Sequence, residues 1–255
     1  MSSQWEVKWW RVGVLLACIF VAVSLAGPIA VNFWIPWHEE RELVREYPFL
    51  RAVPVPVSDK TIARLDGAHV ELFGVALQVP WKEVVWDRTR GNFSVQSFGD
   101  DRVLAMFDPS TAFNRVETMQ RNGRTQAEEK AIRETFGPKA LSSNYDLIAA
   151  ELAVAPANSN WWATFTQSSR RTVLLTLKLI EMHDAKAIYQ INANELHGFQ
   201  FGNPAVAPYE VWLVLFDRND RRYEISLHRK ENNAPFVSQA EVNAIVASIR
   251  PVPHS

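Results

Sequence analysis

A small set of histidines and carboxylates in the C-terminal half of the chain has the residue types needed for acid–base or metal chemistry. They are His183, Glu195, His197 and His228. Glu195 and His197 share one face of a predicted strand, because side chains two residues apart point the same way, and His228 ends a neighbouring predicted strand. Convergence of the four would build a hydrolase or metal site. We favour the alternative, that they are surface or hydrogen-bonded structural residues.

Glycines and aromatic residues supply a second set of candidates, for contact with a partner or ligand. In "GFQFG", two glycines within a strand-like run favour a β-bulge or a close approach of another backbone or of a ligand. Two adjacent tryptophans either form an exposed pair for a partner or the bilayer surface, or anchor the start of a long helix in the core. The candidate contact residues are Trp161, Trp162, Gly198, Phe199, Phe201 and Gly202.

Composition and missing motifs exclude several classes of activity. The patterns G-x-G-x-x-G, G-x-x-x-x-G-K and G-x-S-x-G do not occur, so the usual nucleotide-binding and nucleophile-elbow signatures are missing. Cys18 is the one cysteine, which excludes an internal disulfide and a multi-cysteine metal site. The 27 basic and 28 acidic residues leave no basic surplus for nucleic acid. We predict a non-catalytic protein without cofactor or metal.

The N-terminus predicts a single transmembrane helix over residues 12–36. Its first part, residues 12–31, carries no charge and covers about 30 Å as a helix, the thickness of a bilayer's hydrocarbon core. Tryptophans flank it on both sides: Trp9, Trp10, Trp34 and Trp37. Lys8 and Arg11 precede the span, so residues 1–11 are predicted to be cytoplasmic and the C-terminal part extracytoplasmic, at a cell inner membrane.

Two other interpretations of the same segment stay open. Small residues before Gly27 permit cleavage by a signal peptidase after Ala26, and the run ending at Cys18 resembles a bacterial lipobox. A retained span is favoured over both, because the apolar run continues to Val31 and a second aromatic girdle follows it. A buried helix of a soluble domain fits the length and flanks less well.

Beyond the predicted span, the chain divides into a linker and a domain. Residues 37–60 contain "PVPV" among charges, which favours an extended juxtamembrane stalk without a core. Residues 61–253 alternate apolar runs with turn signals, giving strands, then helices, then strands, then a terminal helix with a capping box from Ser238 to Glu241. The first three predicted strands, over residues 73–79, 93–98 and 102–107, are short and closely linked, so we expect them to pair antiparallel with one another. Further predicted elements include a helix over residues 126–136 and a strand over residues 196–201. The fold class is therefore α+β, an antiparallel sheet packed with helices.

Two stretches of the domain carry a resemblance to a known fold: "FGVALQVPW" near its start and "YEVWLVLFDRNDRRYEISLHRKENNAPFVSQAEVNAIVASI" at its end. With the element order between them, they resemble the PsbP/DcrB-like sandwich fold over roughly residues 68–250. Proteins of that fold are mostly accessory or assembly factors that face a membrane or lumen. The resemblance implies a binding role, so we expect a membrane-anchored binding or assembly protein with an envelope protein as partner. The alternative is a membrane-anchored hydrolase that uses the histidine and glutamate cluster.

Overall fold

The structure is a computed structural model, and it describes residue 24 and residues 34–111, 126–156, 161–182, 185–193, 195–231 and 234–252. Side chains are not described for residue 127 and residues 161–169. Helices are α1 Ile35–Glu46, α2 Gln126–Phe136, α3 Asn144–Ala153, α4 Trp161–Glu181 and α5 Gln239–Ser248. Strands are β1 Val55–Pro56, β2 His69–Leu72, β3 Val75–Gln78, β4 Val84–Arg90, β5 Phe93–Phe98, β6 Arg102–Phe107, β7 Ile188–Ala193, β8 Leu196–Phe201, β9 Val211–Phe216, β10 Arg222–Arg229 and β11 Arg250–Pro251.

A large sheet of eight strands forms the centre of the fold. Its order is β1-β7-β8-β9-β10-β6-β5-β4, and all neighbours are antiparallel except the two-residue parallel pair of β1 with β7. A second sheet has the order β11-β3-β2. Because β9 is apolar at nearly every position and lies in the middle of the large sheet, both of its faces need a cover.

Each face of the large sheet has its own hydrophobic core. On the first face, Leu213, Leu215 and Ile225 pack with the small sheet and with α5. On the second face, Phe199 and Phe216 pack with helices α1 to α4. The protein is therefore mixed α+β, with a large antiparallel sheet between a helical layer and a second layer of sheet and helix.

Most of the predicted elements are confirmed, several at their predicted bounds. Helix α2, strands β5, β6 and β8, and the capping box at Ser238 with Glu241 all agree with the prediction. The expected antiparallel pairing of the first three predicted strands is confirmed for β5 with β6 and wrong for β3. Strand β3 belongs to the small sheet, where β2 and β11 are its neighbours, and two strands, β2 and β4, were not predicted. Local patterns favour a strand but do not select its partner.

The expectation that residues 37–60 contribute no core is wrong. Val44 of α1 and Leu50 are buried in the helical core, and β1 pairs with the edge of the large sheet. Arg171 of α4 donates to the buried carboxylate of Glu40 at 2.9 Å, which fixes α1 against α4. The charges of this segment suggested a solvated linker, but its apolar residues are spaced to bury one side of α1.

Within the described residues, no helix has the length and apolar character needed to cross a bilayer. The predicted span over residues 12–36 lies outside the described residues, apart from residues 24 and 34–36.

Candidate functional site

A cavity of about 540 Å³ opens at the end of β7, next to the short strand β1. This volume falls within the usual range of small-ligand and peptide pockets. Six elements or loops contribute to its wall: β1, the segment that follows it, the first turn of α3, β7, β8 and α5. The lining residues are Pro56, Val57, Asp59, Lys60, Ile62, Tyr145, Gln190, Ile191, Asn192, Ala193, His197, Asn243 and Val246.

The cavity exists because the chain leaves the sheet edge soon after β1. Strand β1 pairs with β7 only at Tyr189 and Gln190, and the chain then crosses towards α5. The Asn243 side chain of α5 donates to the backbone carbonyls of Asp59 and Thr61, at 2.7 and 2.9 Å, and holds this crossing segment. The end of β7 is therefore bordered by a strap of chain instead of a paired strand.

Tyr145 is placed in the cavity wall by a contact distant in sequence. Asp220, in the turn between β9 and β10, accepts hydrogen bonds from the backbone N–H groups of Asn144 and Tyr145, at 2.6 and 3.1 Å. These are the first amides of α3, which have no partner within the helix. The negative carboxylate also lies at the positive end of the helix dipole. Asp220 thus fixes the first turn of α3, and the Tyr145 ring stacks on Phe199 beneath it.

His197 combines an aromatic contact with free hydrogen-bonding capacity. Its ring meets the edge of the Tyr145 ring at 4.3 Å between centroids, and it lies directly across from Asn192 in the β7–β8 pair. Its ring nitrogens have no hydrogen-bond partner among the described residues, whereas the Tyr145 hydroxyl accepts from Gln190 at 3.2 Å. The imidazole is therefore available to donate to, or accept from, a molecule in the cavity.

The predicted acid–base residues do not meet at this site. His197 is level with Arg222 across β9, and His228 lies six residues further along β10, about 20 Å away at about 3.4 Å per residue. Glu195 is exposed and pairs with Arg218 at 3.1 Å. His183 lies outside the described residues. Within the described ranges, no group of three or more His, Cys, Asp or Glu side chains is placed to hold a metal ion.

His228 has a structural environment. Its Nδ1 lies 3.3 Å from the Ser226 hydroxyl, and burial lowers the pKa of the imidazole, partly offset by the nearby carboxylate of Glu210. This is the environment of a hydrogen-bonded, neutral histidine within a sheet.

The glycine and aromatic candidates lie mostly in the core. A Cβ on Gly198 would come within 2.1 Å of the Val214 carbonyl oxygen, so β9 makes the close approach that the glycine permits, without a register shift. Gly202 has a positive φ of 87° at the end of β8. Phe199 and Phe201 are each 1% exposed beneath the helices. The backbones of Trp161 and Trp162 begin α4, and their side chains are outside the described part.

The sequence prediction missed most of the cavity wall. Gln190 and Asn192 share one strand, but Tyr145 and Asn243 belong to two helices far from it in the sequence, and no spacing links the three elements. Only the long-range pairing of β7 and the cap from Asp220 bring them together.

Comparisons with known proteins identify no relative of this chain. No protein-family model, no curated protein and no solved structure matches the chain. The site is therefore interpreted from its own geometry.

Proposed function

We propose that this chain is a membrane-anchored, extracytoplasmic binding or assembly protein without catalytic activity, and that the cavity at the end of β7 is its binding site. The observation that carries the proposal is the wall of that cavity. Hydrogen-bonding groups from Tyr145, Asn192 and His197 converge there beside apolar side chains, which is the usual composition of a binding pocket.

Binding is favoured over hydrolysis by the geometry of the titratable groups. A general base must reach the proton that it abstracts, directly or through one water, so a catalytic set of the predicted residues would have to face one cavity. Among the candidates His197, Glu195 and His228, only His197 lines the cavity, and its ring contacts are the aromatic side chains of Tyr145 and Phe216. The hydrolase alternative has no observation in its favour among the described residues.

The anchor is proposed from the composition of residues 12–36. The backbone at Trp34 is helical, with φ −67° and ψ −47°, and no side chain caps the start of α1. A helix that continued from a membrane span would need no cap at this point. The basic N-terminal flank favours an inner-membrane anchor with the domain on the outer side. On that side of the membrane, the proposed partner is an envelope protein.

The resemblance to the PsbP/DcrB-like fold remains part of the proposal. An antiparallel sheet with helices on one face and α5 on the other is compatible with it. Because fold alone does not define function, the resemblance adds weight to a binding role only by analogy.

A capture experiment with two matched histidine variants tests the binding site. Full-length protein, immobilised in mild detergent, is exposed to solubilised membranes, and the retained proteins are identified by mass spectrometry. We expect His197→Ala to lose a partner that the wild type and His228→Ala both retain, because only His197 lines the cavity. Equal retention by all three proteins would overturn the proposed site.

A further inference from the structure

We propose that the occupant of the cavity is an extended peptide segment of another protein, which pairs with the free edge of β7 as an additional strand. This inference rests on the proposed function and names the class of ligand. Strand addition to an exposed sheet edge is a general mode of peptide recognition, in which main-chain hydrogen bonds supply affinity and side-chain pockets supply specificity.

The hydrogen-bonding alternation of β7 shows which backbone groups face the cavity. The Ala187 carbonyl accepts from the Gly202 N–H at 2.9 Å, just before β7 begins. In an antiparallel pair, residues exchange both bonds at every second position. Tyr189 and Ile191 therefore point their backbone groups towards β8, whereas Gln190 and Asn192 point theirs to the opposite edge.

Strand β1 uses only part of that edge. Its pairing ends at Gln190, opposite Pro56. Among the described residues, no backbone hydrogen bond reaches the N–H or C=O of Asn192. Beyond the end of β1, residues 191–193 offer about 10 Å of edge, at about 3.3 Å per residue, along one wall of the cavity. A peptide in this position would continue the line of β1 and receive both a donor and an acceptor from Asn192.

The two sides of the cavity differ in chemistry, which predicts an alternating preference in the peptide. Asn192, His197 and Tyr145 lie on the helical side of the sheet and offer hydrogen bonds. Ile191 and Val246 belong to the core on the other side and offer apolar contact. Since successive side chains of a strand point to opposite faces, we expect a polar residue followed by an apolar one.

Charge does not dominate this recognition. The cavity is lined by one carboxylate, Asp59, and one ammonium, Lys60, both at exposed positions. The Thr61 hydroxyl and backbone N–H donate hydrogen bonds to Asp59 and hold the pKa of its carboxyl below the usual range. The two side chains carry opposite charges. A peptide of low net charge therefore fits better than a strongly acidic or basic one.

The outer edge of β1, next to the site, is protected against the addition of another strand. In the parallel pair with β7, Val55 and Val57 of the "PVPV" segment face Gln190, so Pro54 and Pro56 face outward. Proline has no N–H, and edge prolines prevent the addition of a further strand. At this end of the sheet, the described part of the chain leaves open the edge of β7 beside the cavity.

The test distinguishes the contribution of the Asn192 backbone N–H to peptide binding from the contribution of its side chain. A phage-displayed library of random linear peptides is selected on the full-length protein in detergent, and an enriched peptide is synthesised with a fluorescent label. Binding is then measured for the wild type, Asn192→Ala and Asn192→Pro by fluorescence anisotropy. Because the Asn192 N–H points away from β8, proline removes no hydrogen bond from the β7–β8 pair.

We expect Asn192→Pro to weaken binding at least about tenfold and Asn192→Ala by less than about threefold, since only proline removes the backbone donor. Should Asn192→Pro fail to show the cooperative unfolding of the wild type, N-methylation of the peptide backbone at successive positions replaces it, and loss of binding at alternate positions is the expected result. Equal binding by both variants, or by all N-methylated peptides, overturns strand addition.

Failure to enrich any peptide also overturns this inference, while a partner captured through His197 would leave the proposed function standing. The reverse outcome, peptide binding that depends on Asn192 without any captured partner, supports the peptide site and contradicts the role of the cavity in holding a membrane partner.

Discussion

At the scale of single residues, the least expected feature is Lys178, a fully buried lysine on α4. Its ammonium donates to the backbone carbonyls of Ala52 and Val154, and burial lowers its pKa to about 8. The side chain ties the segment after α1 to the end of α3. Nothing in the helical pattern of the sequence distinguishes this lysine from the exposed ones, because its burial depends on residues more than 20 positions away.

The pH dependence of stability tests this assignment. The unfolded-state pKa of lysine is near 10.5, so between pH 8 and 10.5 the folded protein binds fewer protons than the unfolded chain, and the free energy of unfolding rises with pH. The full rise is on the order of 3 kcal/mol. In denaturant titrations from pH 7.5 to 10, we expect the wild type to gain stability relative to Lys178→Met. Parallel pH profiles for the two proteins would show that the lysine is not buried.

The range is kept below pH 10 because of Tyr223. Burial raises the pKa of its hydroxyl to about 12, and the nearby Asp217 carboxylate adds to this effect. The folded protein therefore keeps this proton to a higher pH than the unfolded chain does. Above about pH 10, the free energy of unfolding falls with pH because of Tyr223, whereas it rises with pH because of Lys178.

At the scale of elements, the first turn of α3 is the support of the candidate site. Asp220→Asn keeps a residue that tolerates the observed φ of 59° but replaces the carboxylate that accepts from Asn144 and Tyr145. We expect a loss of about 1–2 kcal/mol in the free energy of unfolding. We also expect weaker binding of a selected peptide, because the Tyr145 ring loses its fixed position.

Tyr223→Phe is the matched control for that variant. It removes the hydrogen bond that the Tyr223 hydroxyl donates to Asp217 in the same turn region. Neither Tyr223 nor Asp217 lines the cavity. We expect a stability loss of about 1 kcal/mol and unchanged peptide affinity. If both variants weaken binding equally, the effect of Asp220 is general destabilisation and not the placement of Tyr145.

The elements also show what a sequence can predict about this fold. Strands β5, β6 and β8 follow from alternation and turn residues, and α5 follows from its capping box. Strand β4 was missed because its seven residues are all exposed, so no apolar alternation marks it. The segment around α1 was misjudged because its charges outnumber the apolar residues that enter the core, Val44 and Leu50.

Of the residues that line the cavity, only His197 was predicted from the sequence to be a candidate site residue. His197 stood out because histidine is chemically informative at any position. Asn192 and Gln190 are ordinary residues until strand pairing places them at the site, and Asn243 until α5 packs beside the crossing segment. The open end of β7 is a property of sheet order, which depends on contacts far apart in the chain. No local pattern carries that information.

At the scale of the whole molecule, the proposed anchor predicts where the chain is found in a cell. The full-length protein should remain with the membrane fraction after alkaline washing. The double variant Ile19→Arg with Val23→Arg should not, since each charge in the middle of a span costs about 2.5–3.5 kcal/mol of insertion. Ile180→Arg, at an exposed position of α4, is the control and should stay in the membrane fraction. Soluble wild-type protein after gentle lysis would contradict the anchor.

The central claim is that the cavity at the end of β7 holds a partner at the membrane. Ile62 and Ile180 are both 64% exposed, but only Ile62 borders the cavity. A photo-crosslinking amino acid at each position, activated in intact cells, tests the claim directly. The account predicts a defined crosslinked product from position 62 that Asn192→Pro abolishes, and none from position 180. Products of equal yield from both positions, or from neither, would contradict it.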